Sequence, residues 1–278
     1  MTEGPPAKSS LPAASGDGDT PRSACEEEYV PQDRRAPKVV SEADVQSYEE
    51  QGYHLGRGVL AADECDEIIG RAEELHARKH VPGCFRAADV DESDGDPLRV
   101  YPRMMHPHRV DDRCLHYLTH PSVVAILRDL LRDGVTALQS MFYWKPPGAR
   151  GQAYHQDDFY LQTKPGACIA AWTALERIDA ENGALRVFPG SHAEDILDML
   201  PTNTAFSFTS EAVTPPAQYA NTLVEMDKGD VLFFDGRLIH GSLPNVSDER
   251  FRRAYICHYI PESAASYNHG YDPAIPLR

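Results

Sequence analysis

Apolar positions in the first half of the chain recur every three or four residues, the spacing of one helix face. Ser41-x-x-Asp44 reads as a capping box that opens a helix, with Val45 and Tyr48 as its apolar positions and Gly52 as its end. From Asp63 to Lys79 the positions Cys65, Ile68, Ile69, Ala72 and Leu75 make one apolar face and predict a longer helix. Pro121 to Leu131 predicts a third. From Val135 onward the pattern changes to short runs rich in β-branched and aromatic residues, each cut by Gly or Pro: VTALQSMFYW, ACIAAWTAL, ALRVF, DVLFF and RRAYICHYI. Helices gathered first and strands afterwards predict a single α+β domain over residues 38–278, its helices flanking a sheet sandwich or barrel. Residues 1–37, rich in Pro, Gly, Ser and Ala, read as a disordered tail. The stretch Ile196 to Ala220, long and bearing Pro, Thr and Ser, reads as a lid or a partly disordered loop.

Composition narrows the function classes. With 278 residues, 41% hydrophobic and 25% charged, the chain has the profile of a soluble globular protein and the length to bury a core without disulfides. Its formal net charge of -16 repels phosphate backbones and anionic lipid heads, which sets nucleic acid and membrane partners aside in favour of a small-molecule substrate. The six cysteines, at 25, 65, 84, 114, 168 and 257, form no C-x-x-C and read as free thiols in a reducing cytosol. The start MTEGPPAKSSLPAASGDGD has no basic segment followed by an apolar one, and no apolar run is long enough for a bilayer, so the expected location is cytoplasmic.

The first candidate for chemistry is His155-Gln156-Asp157, placed beside a strand edge, where side chains at i and i+2 share a side and can grip one metal ion. Alone it means little, because roughly two His-x-acid triplets are expected by chance in this composition and two occur. Context separates them. His155 lies in the Gly-rich GARGQAYHQDDFYL between two predicted strands, whereas His192-x-Glu194 follows Pro-Gly-Ser and reads as the end of a turn. A third ligand, His240, stands after the apolar run Val231 to Phe234 and the turn Asp235-Gly236. Two His and one carboxylate on one face of an ion leave three positions open, which suits Fe(II) holding a chelating cosubstrate and dioxygen. Phe251-Arg252-Arg253-Ala254 then opens a strand, and a buried guanidinium there is a natural bidentate anchor for the far carboxylate of 2-oxoglutarate.

The segments HQDDFYL (155–161), AWTALERIDAENGALRVFPGSH (171–192) and GDVLFFDGRLIHGSLPNVSDERFRRA (229–254) resemble, in this order and spacing, the phytanoyl-CoA dioxygenase family of Fe(II)/2-oxoglutarate oxygenases. The likeness spans residues 42 to 262. It implies a double-stranded β-helix, the cupin-like jelly roll, with iron held by His155, Asp157 and His240. It further implies that Arg252 binds the distal carboxylate of 2-oxoglutarate with Ser242 beside it, and that Trp172 and Gln139 line the cosubstrate pocket. The implied reaction is hydroxylation of an unactivated C–H bond, using dioxygen and releasing succinate and carbon dioxide. Relatives that halogenate lack the carboxylate ligand, so the presence of Asp157 disfavours halogenation.

Alternatives stay open at this level. The spacing from His240 to the Arg pair leaves Arg253 as a substitute for Arg252, since strand alternation turns only one of them inward. The same chemistry can epimerise, desaturate or cyclise; a Zn(II) hydrolase and a non-catalytic ligand-binding jelly roll are further readings, though the first gives Arg252 no role. The acidic balance argues against a CoA thioester, and the family's many hydroxylases of natural-product intermediates point to a secondary-metabolite intermediate as substrate. Arg99 to His116 forms a basic island, read either as a wall for an anionic ligand or as solvated surface; Asp158 is read as orienting a ligand or as exposed. Asn182-Gly183 and Pro189-Gly190 are assigned to turns.

Overall fold

The structure, a computed structural model, describes residues 40–166 and 168–277. The predicted tail at 1–37, and Cys25 within it, lie outside the described residues.

Helix α1 (Glu42–Gln51) opens as predicted. The Ser41 hydroxyl accepts from the Asp44 N–H at 3.2 Å, the Asp44 carboxylate accepts from the Ser41 N–H at 3.0 Å, and Gly52 ends the helix at φ 78°. Strand β1 (Tyr53–Gly56) follows, then α2 (Ala62–His76), which buries Cys65, Ile68, Ala72 and Leu75. It stops three residues before Lys79, which takes φ 61° and leads the chain into the hairpin β2 (His80–Val81) and β3 (Phe85–Arg86). Two short elements, α3 (Pro97–Val100) and β4 (Met104–Met105), precede α4 (Asp112–Leu118), which the basic island had hidden. Asp111 caps α4 by accepting from the N–H groups of Arg113 and Cys114. Helix α5 (Pro121–Leu131) has the predicted bounds.

Nine of the remaining elements build the two sheets that carry the site. They are β5 (Val135–Tyr143), β6 (Gln152–His155), β7 (Ile169–Ala174), β8 (Leu185–Val187), β11 (Thr222–Val224), β12 (Val231–Asp235), β13 (His240–Ser242), β14 (Ala254–Pro261) and β15 (Ile275–Leu277). One helical turn, α6 (Asp158–Leu161), follows β6, and the small hairpin β9 (Leu200–Pro201) with β10 (Glu211–Ala212) lies between β8 and β11. The larger sheet runs β1-β12-β7-β14-β5, with β4 and β15 sharing the outer edge of β5; the smaller runs β11-β8-β13-β6, and every pairing is antiparallel. This is the expected jelly roll with flanking helices.

Period-two alternation divides the large sheet between two cores. Val231 and Phe233 of β12, Ile169 and Ala171 of β7, and Tyr255, Cys257 and Tyr259 of β14 pack with the helices. Leu232 and Phe234, Ala170 and Trp172, and Ala254 and Ile256 turn the other way, against Leu185 and Val187 of the small sheet. A fully buried aromatic ring such as Phe233 contributes about 3–5 kcal/mol by the cost of its removal to Ala. The alternation slips once: between the pairs His258↔Gln139 and Tyr259↔Ala137 the strand β5 carries one extra residue, Leu138. The bulge changes the phase of β5, so Gln139 and Met141 face the inter-sheet cavity although Val135 and Ala137 face the helices.

The stretch read as a lid holds the β9–β10 hairpin and is tied to the residues before β6. Ser207 bridges Gly151, and the Arg150 guanidinium donates to the Thr204 carbonyl at 3.1 Å and to Asp96 at 2.6 Å.

Candidate metal centre

His155 ends β6 and His240 begins β13, and the two are direct partners across the small sheet, their ring centroids 4.2 Å apart. Each ring places Nδ1 2.9 Å from a backbone carbonyl, that of Ala153 for His155 and that of Leu238 for His240. A carbonyl only accepts, so Nδ1 carries the proton in both rings and both Nε2 atoms offer a lone pair to the space between them. Asp157 joins them by a route other than the expected one. The strand ends at His155, and Asp157 has helical backbone at the head of α6 (φ -63°, ψ -33°), so a turn rather than strand alternation brings the carboxylate round. Its Oδ1 is 3.4 Å from His155 Nε2 and its Oδ2 3.7 Å from His240 Nε2.

One donor atom from each of the three residues lies within 4.8 Å of the others, and all three side chains are buried. Donors bound to one first-row divalent ion at about 2.1 Å stand roughly 3 Å apart when adjacent, so this set fits such an ion with small adjustments. Its charge state fits as well. Burial, then the neighbouring His155, pushes the His240 ring down to about 4, which leaves it neutral and free to ligate at neutral pH. Burial alone would raise the Asp157 carboxyl, but the neighbouring His240 and His258 rings and the hydrogen bond from His258 outweigh it and hold the group well below the usual carboxylate range.

The three residues open onto a cavity of about 350 Å³ lined also by Gln139, Trp172, Ser242 and Arg252, so the three expected metal ligands and the four residues expected around 2-oxoglutarate face one space. The Arg252 guanidinium lies 5.1 Å over the Trp172 ring, is 4% exposed, and has no carboxylate partner among the described residues; its Nε is buried and unpaired. Burial lowers it to about 10, so it stays charged. A buried cation without a counter-charge is costly, and an incoming carboxylate relieves that cost. Arg253 faces elsewhere, 3.1 Å from Glu176 and 3.2 Å from Glu73 of α2. Ser242 lines the cavity with Arg252 and lies under Lys145, whose buried Nζ donates to the Ser242 hydroxyl at 2.9 Å and contacts the carbonyls of Gly183 and Leu243; burial, then the Arg252 charge, hold Lys145 well below the usual lysine range. The hydroxyl also accepts from the Gln152 N–H at 3.3 Å, which leaves its own hydrogen for an acceptor in the cavity. Gly183 belongs to the predicted turn, and a Cβ there would stand 2.6 Å from Lys145 Nζ.

Of the basic residues of the island only Arg103 lines the cavity. Arg99 pairs with Asp94, Arg113 with Glu67, and Arg109 donates to the Tyr271 carbonyl. Asp158 accepts from the N–H and hydroxyl of Thr163 and so fixes a turn instead of orienting a ligand. His192 sits in a 3-10 turn against the Glu49 carbonyl, as the sequence implied. Three residues at the site were not anticipated: His258, 3.0 Å from Asp157 Oδ2, Gln152, whose amide donates to His155 Nε2 at 2.9 Å, and Lys145. Only His258 left a trace, as a polar residue in phase with Ala254 and Ile256 on a strand whose every position is buried.

No helix among the described residues is long and apolar enough to cross a membrane. The sequence model of the phytanoyl-CoA dioxygenase (PhyH) family matches residues 48–254. A phytanoyl-CoA dioxygenase domain-containing protein 1 of Danio rerio is 28% identical over 264 residues, covering 80% of this chain and 90% of the relative. Among solved structures, the epimerase SnoN in complex with Fe3+, alpha ketoglutarate and nogalamycin RO shares the fold with TM-score 0.64 at 22% identity, over 80% of this chain and 84% of that one. The non-heme alpha ketoglutarate dependent carbocyclase SnoK from nogalamycin biosynthesis does so with TM-score 0.64 at 21% identity, over 83% of this chain and 89% of that one.

Proposed function

The chain belongs to the phytanoyl-CoA dioxygenase family of non-haem iron, 2-oxoglutarate-dependent oxygenases, and from that premise we propose that it hydroxylates an unactivated C–H bond of a small molecule, with His155, Asp157 and His240 holding the iron and Arg252 the far carboxylate of 2-oxoglutarate. The single observation that carries the assignment of residues is the meeting of the three donor side chains at one end of a cavity whose other buried charge is an unpaired guanidinium. Iron, when bound, couples the decarboxylation of 2-oxoglutarate by dioxygen, giving succinate and carbon dioxide, to oxidation of the substrate.

The chain's own part is binding, placement and exclusion of water. Arg252 offers paired N–H donors to a carboxylate, Ser242 adds its hydroxyl hydrogen, and Lys145 holds that hydroxyl in place. Trp172 gives the guanidinium a flat wall at 5.1 Å. Tyr143, Tyr160, Tyr271, Met105 and Leu161 surround the remaining space, an apolar and hydroxyl-bearing surface suited to a compact organic substrate such as a natural-product intermediate. The fold shared with an epimerase and a carbocyclase supports a second reading, in which substrate oxidation ends in inversion or ring closure. A Zn(II) hydrolase would leave Arg252 as a buried charge without a task.

The test is anaerobic titration of the protein with Fe(II) and 2-oxoglutarate, following the metal-to-ligand charge-transfer band, in wild type and Asp157→Ala. Wild type is expected to develop the band and the variant to lack it; a wild type without the band would end the proposal. Succinate release across a substrate panel follows, with product mass deciding the outcome. One added oxygen means hydroxylation, no change means epimerisation, and loss of two hydrogens means desaturation or ring closure.

A further inference from the structure

We infer that His258 is a positioning residue of the metal centre, holding the Asp157 carboxylate so that one of its oxygens is left for the ion; this rests on the reading of His155, Asp157 and His240 as the ligand set. His258 lies on β14 opposite Gln139, beside the bulge, and its ring faces the cavity at 2% exposure. Its Nε2 is 3.0 Å from Asp157 Oδ2. An ionised carboxylate only accepts, so Nε2 carries the hydrogen, and Nδ1 is buried without a partner among the described residues.

That is the reverse of the arrangement at the two candidate ligands. His155 and His240 anchor Nδ1–H on backbone carbonyls and present Nε2 as a lone pair, whereas His258 has no carbonyl anchor among the described residues and presents Nε2–H to the carboxylate. The ring is therefore built to donate to the ligand, not to the ion. The contact also exceeds what packing needs, since a buried imidazole with one orphaned nitrogen is costlier than a leucine of similar volume unless its other nitrogen is used. With Oδ2 engaged by His258, Oδ1 is the Asp157 oxygen that would be left to hold the ion. Partners of this kind, lying behind metal ligands, fix ligand orientation and affect affinity by roughly 10–100-fold.

The experiment uses the full chain without its metal and Co(II) as the probe, under anaerobic conditions, comparing wild type, His258→Gln and His258→Leu. Calorimetry gives Co(II) affinity, and the intensity of the visible Co(II) bands reports coordination number. Expected results are an affinity about 10–100-fold weaker for His258→Leu with weakened bands, and a return to near wild type in His258→Gln, whose amide restores an N–H donor. Thermal unfolding of the metal-free proteins separates loss of fold from loss of positioning. Equal affinity and unchanged bands in His258→Leu would overturn the inference, and so would equal weakening in both variants, which would mark a packing role. Co(II) binding by Asp157→Ala as tight as by wild type would instead overturn the ligand assignment beneath it.

Discussion

Arg252 and Arg253 are neighbours in the chain but serve opposite surroundings: one guanidinium lies 5.1 Å over the Trp172 ring in the cavity, and the other is 3.1 Å from Glu176 near helix α2. Arg252 makes no ion pair among the described residues, and its buried Nε has no hydrogen-bond partner there. Truncating one member of a buried, hydrogen-bonded charge pair costs about 2–5 kcal/mol, so Arg252→Ala is expected to weaken 2-oxoglutarate binding by at least about 30-fold. Arg253→Ala removes partly buried ion pairs outside the cavity and is expected to change it by less than about threefold. Anaerobic calorimetry with 2-oxoglutarate on the metal-loaded protein checks both, and a reversed ranking would make Arg253 the anchor.

Ser242 makes a separable contribution. Its hydroxyl accepts from Lys145 and from the Gln152 N–H, so its own hydrogen is the group left to meet a cosubstrate oxygen. A hydrogen bond to a charged acceptor contributes about 1.5–3 kcal/mol, and Ser242→Ala is expected to raise the apparent KM for 2-oxoglutarate by at least about tenfold with a smaller effect on kcat. An unchanged KM in steady-state succinate assays would place the cosubstrate elsewhere in the cavity.

Acid should destabilise the metal-free protein well before its carboxylates titrate. Burial lowers both His106 and His108 to about 4, with the charge of Arg109 adding to the effect in both rings. In the unfolded chain a histidine titrates near 6.5, so below that pH the unfolded state binds protons that the folded rings refuse. The stability is fully present above about pH 6.5 and is lost progressively as pH falls towards 4. Between pH 6.5 and 5 the loss is at most about 2 kcal/mol per fully shielded ring, and less for His106, which is partly exposed. Urea unfolding at pH 7 and pH 5 measures it. His108→Asn, which can keep the bond to the Ser140 hydroxyl, is expected to show a shallower pH dependence, and an equal dependence would mean that His108 is not held neutral.

What the sequence made legible was what repeats locally. The helices α1, α2 and α5 follow from caps and a three-to-four spacing, and the five strands β5, β7, β8, β12 and β14 from apolar runs cut by Gly or Pro. The strands that carry metal donors were harder: β6 (QAYH) and β13 (HGS) are short and polar, and their pairing joins residues 85 positions apart. Alternation alone would have placed Gln139 on the same side as Ala137, because nothing in VTALQSMFYW announces the bulge at Leu138. Which of Arg252 and Arg253 faces the cavity could not be read from spacing; Arg253 is held away from it by Glu176 and Glu73, which only the folded chain brings near. Lys145 is hidden for the same reason, its partner Ser242 lying 97 residues away.

The basic island gives a sharper test than its composition suggested. Arg103 faces the cavity with Tyr143 and Phe208 at 5.7 and 5.8 Å from its guanidinium carbon, donates to the Tyr143 hydroxyl at 3.1 Å, and has no carboxylate partner among the described residues. Arg99, four residues earlier, is matched by Asp94 at the surface. A cation paired only with aromatic faces and a phenol keeps its capacity for a bidentate bond to an anion. Arg103→Ala is therefore expected to raise the apparent KM of one anionic ligand of the cavity by about tenfold, and Arg99→Ala to change neither KM by more than about twofold. Varying 2-oxoglutarate at saturating substrate and substrate at saturating 2-oxoglutarate identifies which ligand Arg103 meets. If both variants leave both constants untouched, the whole island from Arg99 to His116 is surface charge, and the cavity has a single anion anchor at Arg252.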